Sequence, residues 1–354
     1  MSTKPIPLSE IYSEKMSDFE EALGIKEGRP DGDTHVFISN HTLTKPQKRS
    51  KGVYGGNLAG QALLAAIRTA PEGFTPHSLH SHFVKSVSDQ QKVKWTVEEV
   101  SNGKTFCNRS VKAWQDKQIR YIANVSLTKK NSFKEAEREY YDYEERQEKL
   151  KKEAAAKGEE YDPEDEDAEP MKLKPFSFQT PFPRWLQEER QEDMPVDKRS
   201  ANRYIYHKIP HQFVSLEDTK YEDRVPVTER KMSFFVRLGD GSLKIKDPAF
   251  QFVGLGVLSD SLFLTRLARV LRISTVNLNK TGHYFSVSLD HIIYFHDSEF
   301  DCTQWVAFGF KAVRLTNNRV LLEAEMYNEA GQHVATIIQE GLVHFNGLEK
   351  EAHL

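Results

Sequence analysis

Almost every position of the stretch FQFVGLGVLSDSLFLTRLARVL, residues 250–271, is apolar or small as far as Leu264, and one carboxylate, Asp260, stands inside it. Apolar residues on all sides specify a buried helix. An ionised carboxylate there is costly unless it is paired or put to use. Burial also raises a carboxyl pKa, which suits a general base. The plain alternative is a carboxylate on a solvated edge. Ser288, Asp290 and His291 are a second set, with the residue types of a nucleophile, an acid and a base. The G-x-S-x-G elbow of a Ser-His-Asp hydrolase is missing from the chain. In one regular strand, residues 288 and 290 share a face and 291 points away. His291 then either supports the site from behind or is a core or interface histidine. His77, His80 and His82 hint at metal. Only His80 and His82 share a strand face, and no carboxylate or cysteine completes a set. Cys107 and Cys302 read as core residues. No metal and no cofactor are expected.

The chain has 354 residues, 38% hydrophobic and 29% charged, with a net charge of -3. That length suits two domains or one duplicated unit. The charge gives no support to a nucleic-acid partner. No apolar run reaches the length of a membrane span. Two distant cysteines exclude a disulfide framework and a CxxC zinc site, and fit a reducing or redox-neutral compartment. The start, MSTKPIPLSEIYSEK, lacks the apolar region of a secretory signal. The last three residues, Ala352-His353-Leu354, form a small-basic-Leu tripeptide of the type read by the peroxisomal import receptor. That receptor is an expected partner and the peroxisomal matrix the expected location; an ordinary frayed tail is the alternative.

Residues 8–24 predict a short amphipathic helix capped by Ser9, with Ile11, Met16, Phe19 and Leu23 on its apolar side. THVFISN, residues 34–40, predicts a strand. In GVYGGNLAGQALLAAIRTAP, the glycines Gly52, Gly55, Gly56 and Gly60 form a loop and a close-packed helix entry. Leu58 to Ala70 is then a buried helix stopped by Pro71. A phosphate cradle is the other reading of such glycines. It lacks both the Lys-Ser/Thr of a P-loop and the GxGxxG spacing, which leaves close packing. HSLHSHFVKSV, KVKWTVEEVSNGKTFCNRSVKAWQ and QIRYIANVSLTK predict an antiparallel meander with turns at Asn102-Gly103 and Asp116-Lys117. Residues 131–170 are highly charged, helical and then acidic with prolines: a solvated helix and linker, or an acidic docking segment. From Ala201, RYIYHKIPHQF and ERKMSFFVRLG predict strands, the second ended by Asp240-Gly241. After the 250–271 helix come HYFSVSLDHIIYFH, QWVAFGFKAVRLT, RVLLEAEMYNEAG and HVATIIQEGLVHF. Asn317-Asn318 and Glu329-Ala330-Gly331 are turns.

Both halves thus run from a buried helix into antiparallel strands. Gln61-Ala62-Leu63-Leu64 falls where Asp260-Ser261-Leu262-Phe263 falls, so the carboxylate belongs to the second half alone. Two copies of one curved sheet, each around a central helix, can pair edge to edge.

GGNLAGQALLAA and HSLHSHFVK in the first half, with VLSDSLFL, SLDHIIYFH and TIIQEGLV in the second, make the chain similar to the acyl-CoA thioesterase II family. The resemblance covers nearly everything outside residues 131–200. It implies an α+β double hot-dog fold and hydrolysis of fatty acyl-CoA, such as palmitoyl-CoA, to free acid and CoA. It places the family's catalytic Asp, Thr or Ser, and Gln on Asp260, Ser288 and Gln339. Asp260 would act as general base. Gln339 and Ser288 would hold the water or steady the oxyanion, with backbone N–H groups near the start of the Asp260 helix as further donors. The tail agrees with the family's peroxisomal branch. The expected division is an N-terminal hot-dog domain over 1–130, a charged insertion or linker over 131–200, a C-terminal catalytic hot-dog domain over 201–349, and a targeting tail over 350–354. The charged insertion and the KSVSD sequence depart from the family pattern. A hot-dog enoyl-CoA hydratase is the competing enzyme, but its GDxNPxH signature is absent. A non-catalytic acyl-CoA-binding scaffold, with the acidic insertion as partner site, is the competing non-enzyme. Association into a homo-oligomer is left open.

Overall fold

The computed structural model describes residues 18–46, 50–158, 160–161, 169–197, 202–274 and 285–354. Most of the helix expected over 8–24, including Ser9, Ile11 and Met16, lies outside the described residues; Phe19–Leu23 is helical.

In the first half, β1 (His35–Ser39) precedes α1 (Gly55–Thr69), and β2 (Thr75–Phe83), β3 (Lys94–Asn102), β4 (Phe106–Gln115) and β5 (Gln118–Thr128) follow. The charged connection opens with α2 (Phe133–Lys157), capped by the Ser132 hydroxyl and ended by Gly158 in the left-handed region. In the second half, β6 (Met232–Leu238) precedes α3 (Ala249–Ser259). After it come β7 (Phe285–Ser288), β8 (Asp290–Phe295), β9 (Val306–Thr316), β10 (Arg319–Tyr327) and β11 (His333–His344).

All these strands belong to one antiparallel sheet. The first half is ordered β1-β3-β4-β5-β2 and the second β8-β11-β10-β9-β6, so each half is the reverse of the other about their junction. That junction is the β2–β8 pair, with His80 opposite Ile292 and His82 opposite Asp290. This is the double hot-dog expected from the sequence, its two units joined edge to edge. The Asp116-Lys117 and Asn317-Asn318 turns each hold two successive residues at positive φ, as the tightest hairpins require. At Asn102-Gly103 the hairpin forms with a longer loop, because Asn102 pairs with Cys107.

Each helix is buried nearly all round. In α1 every residue from Gly56 to Ala66 is buried, and in α3 all but Gln251. Alanines and glycines make this possible, since only small side chains let two helices and a sheet share one core. The helices touch backbone to backbone. A Cβ at Gly60 would stand 2.9 Å from the Val253 carbonyl oxygen, and one at Gly56 2.7 Å from that of Val257. The glycine-rich run is therefore a helix-packing device. It also begins the helix at Gly55, earlier than the expected Leu58.

Two sequence expectations are corrected. The 250–271 run is not one helix. It ends at Ser259, turns through Leu262 at φ 52, and resumes as a 3-10 turn (Leu264–Arg266) and a short helix (Leu267–Val270). Nor does Gln61 occupy the place of Asp260. Gln61 is buried in mid-helix, where its Oε1 accepts from Ser39 Oγ at 2.8 Å and Trp95 Nε1 at 3.2 Å. Its Nε2 donates to the Leu23 carbonyl at 3.1 Å. It ties its own half together, whereas Asp260 ends a helix.

Gly60→Val should push α1 and α3 apart and cost about 1–3 kcal/mol through overpacking. The urea midpoint should fall with the m-value unchanged; an unaltered midpoint would contradict the contact.

Candidate active site

Asp260 is the residue that ends α3, and the α3–α1 contact decides what it meets. The antiparallel crossing sets the C-terminus of α3 against the N-terminus of α1. There the Gly56 N–H donates to Asp260 Oδ2 at 3.0 Å. Asp260 follows the C-terminal end of α3, so the N–H groups at the start of that helix, expected as oxyanion donors, lie at its opposite end. The start of α1 also carries the positive end of the helix dipole, which favours an anion. Gly55 leaves the space: a Cβ there would stand 2.8 Å from Asp260 Oδ2 and 2.9 Å from the Phe83 ring. Tyr54, one residue earlier, donates its hydroxyl to the Val257 carbonyl at 3.0 Å and pins the helix ends together.

The other carboxylate oxygen faces β11. Gln339 is fully buried, and its Nε2 donates to Asp260 Oδ1 at 3.1 Å and to Ser288 Oγ at 2.5 Å. One amide nitrogen therefore joins the carboxylate and the hydroxyl, using one proton for each. Because Ser288 Oγ accepts this bond, its own proton is free for another acceptor. The three residues expected to act together converge although Gln339 lies 79 residues from Asp260 and 51 from Ser288.

A bulge builds the Ser288 side of the site. Ser288 pairs with Gly341, but Ile292 pairs with Ile338, a slip of one residue at Leu289. The expected single strand is therefore two. Asp290 secures the bulge by accepting the Glu340 N–H at 2.6 Å, which leaves it no part in a Ser-His-Asp set. The slip also overturns the strand-parity argument about His291. Ser288 and His291 are brought to the same face, and His291 lies fully buried with Nε2 2.8 Å from Ser259 Oγ. Sequence carried no sign of this, since a bulge leaves alternation intact on either side.

Burial sets the electrostatics. Asp260 is pushed up to about 6, mainly by desolvation of its carboxylate and against the opposing bonds from Gln339 and Gly56. His291 is pushed down to about 4 by burial, with the Gln339 side chain opposing. A carboxylate ionised at neutral pH, a neutral imidazole and a free hydroxyl proton meet at a helix N-terminus. This set can deprotonate water and donate hydrogen bonds to an oxyanion.

The other candidates lie elsewhere. His80 and His82 are exposed on β2. Among the described residues no three metal-ligand side chains gather, and no helix is long and apolar enough to cross a membrane. Cys107 and Cys302 are buried and unpaired in the core, and burial raises the Cys302 thiol.

The family model described as acyl-CoA thioesterase C-terminal domain matches residues 164–343, and that for the acyl-CoA thioesterase N-terminal domain matches 44–128. The peroxisomal acyl-coenzyme A thioester hydrolase 1 of Saccharomyces cerevisiae is 25% identical over 367 residues, covering 93% of this chain and 95% of the relative. The acyl-CoA thioesterase 2 of Haemophilus influenzae is 27% identical over 303 residues, covering 83% and 88%. An acyl-CoA thioesterase II from Mycobacterium marinum has a similar structure, with a TM-score of 0.62 at 18% identity over 93% of this chain and 97% of that one. A hot-dog protein from Alicyclobacillus acidocaldarius gives 0.59 at 14% identity over 92% and 97%. These two likenesses show the fold.

The raised Asp260 pKa has a consequence for stability. Its folded value, about 6, lies above the ordinary 3.8, so the folded state binds more protons between those values. Stability contributed by this carboxyl is full below the unfolded pKa and is lost as pH rises through about 6. Relative to Asp260→Asn, which does not titrate, the wild type should therefore lose on the order of 1–2 kcal/mol of stability between about pH 4 and pH 7.5. Urea unfolding of both proteins across that range checks it. A difference independent of pH would refute it.

Proposed function

This chain belongs to the acyl-CoA thioesterase family and is an acyl-CoA thioester hydrolase, and from that premise we propose that Asp260, Ser288 and Gln339 carry the hydrolysis of fatty acyl-CoA. The observation that supports this reading is the sharing of one Gln339 amide nitrogen between the Asp260 carboxylate and the Ser288 hydroxyl. Asp260 takes a proton from water, and the hydroxide attacks the thioester carbonyl carbon. The carbonyl π electrons move to oxygen, where the Ser288 hydroxyl proton and the positive end of α1 stabilise the oxyanion. As the intermediate collapses the C–S bond breaks, and the CoA sulfur leaves as thiolate and takes the proton held by Asp260. Free fatty acid and CoA result, and Asp260 is again ionised. The Gln339 amide orients the base and the hydroxyl without exchanging a proton.

The test is release of CoA from palmitoyl-CoA, followed with a thiol reagent. Asp260→Asn should lower kcat by about 10²–10⁴-fold, the usual worth of a general base. The wild-type rate should rise with pH through about 6, because only the ionised carboxylate accepts a proton. Folded wild-type protein that releases no CoA over several acyl lengths would sink the proposal, as would a fully active Asp260→Asn enzyme.

The proposed setting is the peroxisome. Support comes from the Ala352-His353-Leu354 tripeptide and from the peroxisomal name of the yeast relative. The His353 N–H donates to the Leu271 carbonyl at 3.0 Å and Arg230 Nη1 to the His353 carbonyl at 2.6 Å, while Leu354 is exposed. His353 Nδ1 also lies 2.9 Å from Asp223 Oδ1, so capture by an import receptor requires all three contacts to open. Removing residues 352–354 should leave the protein in the cytosol of a peroxisome-containing cell. Unchanged import would show that another segment carries the address.

A further inference from the structure

Two buried polar atoms beside the site have no partner: Gln339 Oε1 and His291 Nδ1. Both residues are fully buried. Unmatched groups of this kind cost about 1–3 kcal/mol each. The pairing of Ile292 with Ile338 sets His291 beside Gln339 on the neighbouring strand, and the Gln339 side chain is close enough to oppose the burial shift of the imidazole.

The proton inventory decides how they meet. A neutral imidazole has one N–H. If Nε2 carries it, it is given to Ser259 Oγ, and two acceptors, Nδ1 and Oε1, are left facing one another. If Nδ1 carries it, that proton matches Gln339 Oε1. Ser259 then turns its hydroxyl proton to Nε2 at 2.8 Å and away from the Gly256 carbonyl, which it otherwise meets at 2.9 Å. The second assignment gives partners to both unmatched atoms. It also locks the amide. A flipped Gln339 would turn its oxygen toward the Asp260 carboxylate and its NH2 toward the imidazole N–H, with both contacts repulsive.

Resting on the thioesterase reading of this site, we propose that His291 is a positioning residue: its Nδ1–H holds Gln339 Oε1, so that Gln339 Nε2 stays on Asp260 and Ser288. The order of control is Ser259, His291, Gln339, and then the base and the hydroxyl. The histidine does not touch the reacting atoms. The other titratable groups facing Asp260 are the Tyr54 phenol, just ahead of α1, and the Tyr121 phenol on β5. Burial raises both, so they stay neutral through the pH range of activity.

Three measurements test the assignment. In wild-type protein labelled with ¹⁵N-histidine, the His291 signal should show a protonated Nδ1 and an unprotonated Nε2, identified by its loss in His291→Asn. This reading needs no variant to keep its activity. The Asp260 carboxyl is then titrated by ¹³C shift in wild type, His291→Asn and His291→Gln. Asparagine places an N–H near the position of Nδ1 and glutamine near that of Nε2. His291→Asn should keep the wild-type Asp260 pKa. His291→Gln should raise it by more than about half a unit through loss of the oriented amide donor. Finally, the acid limb of kcat should move up by the same amount in His291→Gln, with kcat lowered about tenfold, the worth of one buried hydrogen bond, and KM little changed. A protonated Nε2 in the wild type would overturn the proposal. So would an Asp260 pKa that is equal in all three proteins, or one shifted equally by both substitutions. The first two readouts do not involve turnover, so they separate failure of this inference from failure of Asp260 as the base.

Discussion

Everything at this site depends on how closely two helices approach. The contact between α1 and α3 runs through Gly56 and Gly60, where an added Cβ would strike the backbone of the opposite helix. That approach sets the start of one helix against the residue that caps the end of the other. A carboxylate ending α3 then finds a donor at Gly56 that no residue of its own half supplies. Wider separation would keep two hot-dog units and lose the site between them.

The same closeness accounts for the chemistry of Asp260. Its partly buried carboxylate is desolvated enough to resist ionisation, yet it receives one bond from each half, from Gly56 N and Gln339 Nε2. Desolvation outweighs both donors, and the result is a base whose pKa lies near 6. More donors would make the carboxylate a weaker base. Fewer would raise its pKa further toward neutral pH. The folded molecule carries a stability cost at this position at neutral pH, the same feature that suits the carboxylate to the proposed role of base.

Order within the site comes from the second half's sheet. The one-residue slip at Leu289, secured by Asp290, turns Ser288 and His291 to one face and sets both beside Gln339. In a regular strand one of the two would face away. The irregularity therefore does as much for the geometry as the regular pairing around it.

Much of this was legible in the residues. Hydrophobic runs bounded by glycine and turn signals gave the helices and the hairpins β3-β4-β5 and β9-β10-β11, because burial and backbone propensity are local. The meander expected to begin at β2 is corrected, since β2 pairs with β5 and β8 and not with β3. The odd carboxylate of 250–271 stood out for the same reason. The resemblance carried by VLSDSLFL, SLDHIIYFH and TIIQEGLV then joined Asp260 to Ser288 and Gln339. What stayed hidden is what requires two distant segments to meet. The end of α3 at Ser259 had no sign in the sequence, because the run itself remains apolar well past that residue. The donor at Gly56 looked like a packing glycine, since a backbone N–H has no side-chain signature. The role of His291 turned on a register slip that alternation cannot reveal. By itself the sequence determined which groups are chemically able and which segments are buried. Only the tertiary structure decided which faces meet, because helix ends, strand register and backbone donors are set by contacts between halves and not by the order of residues in either one.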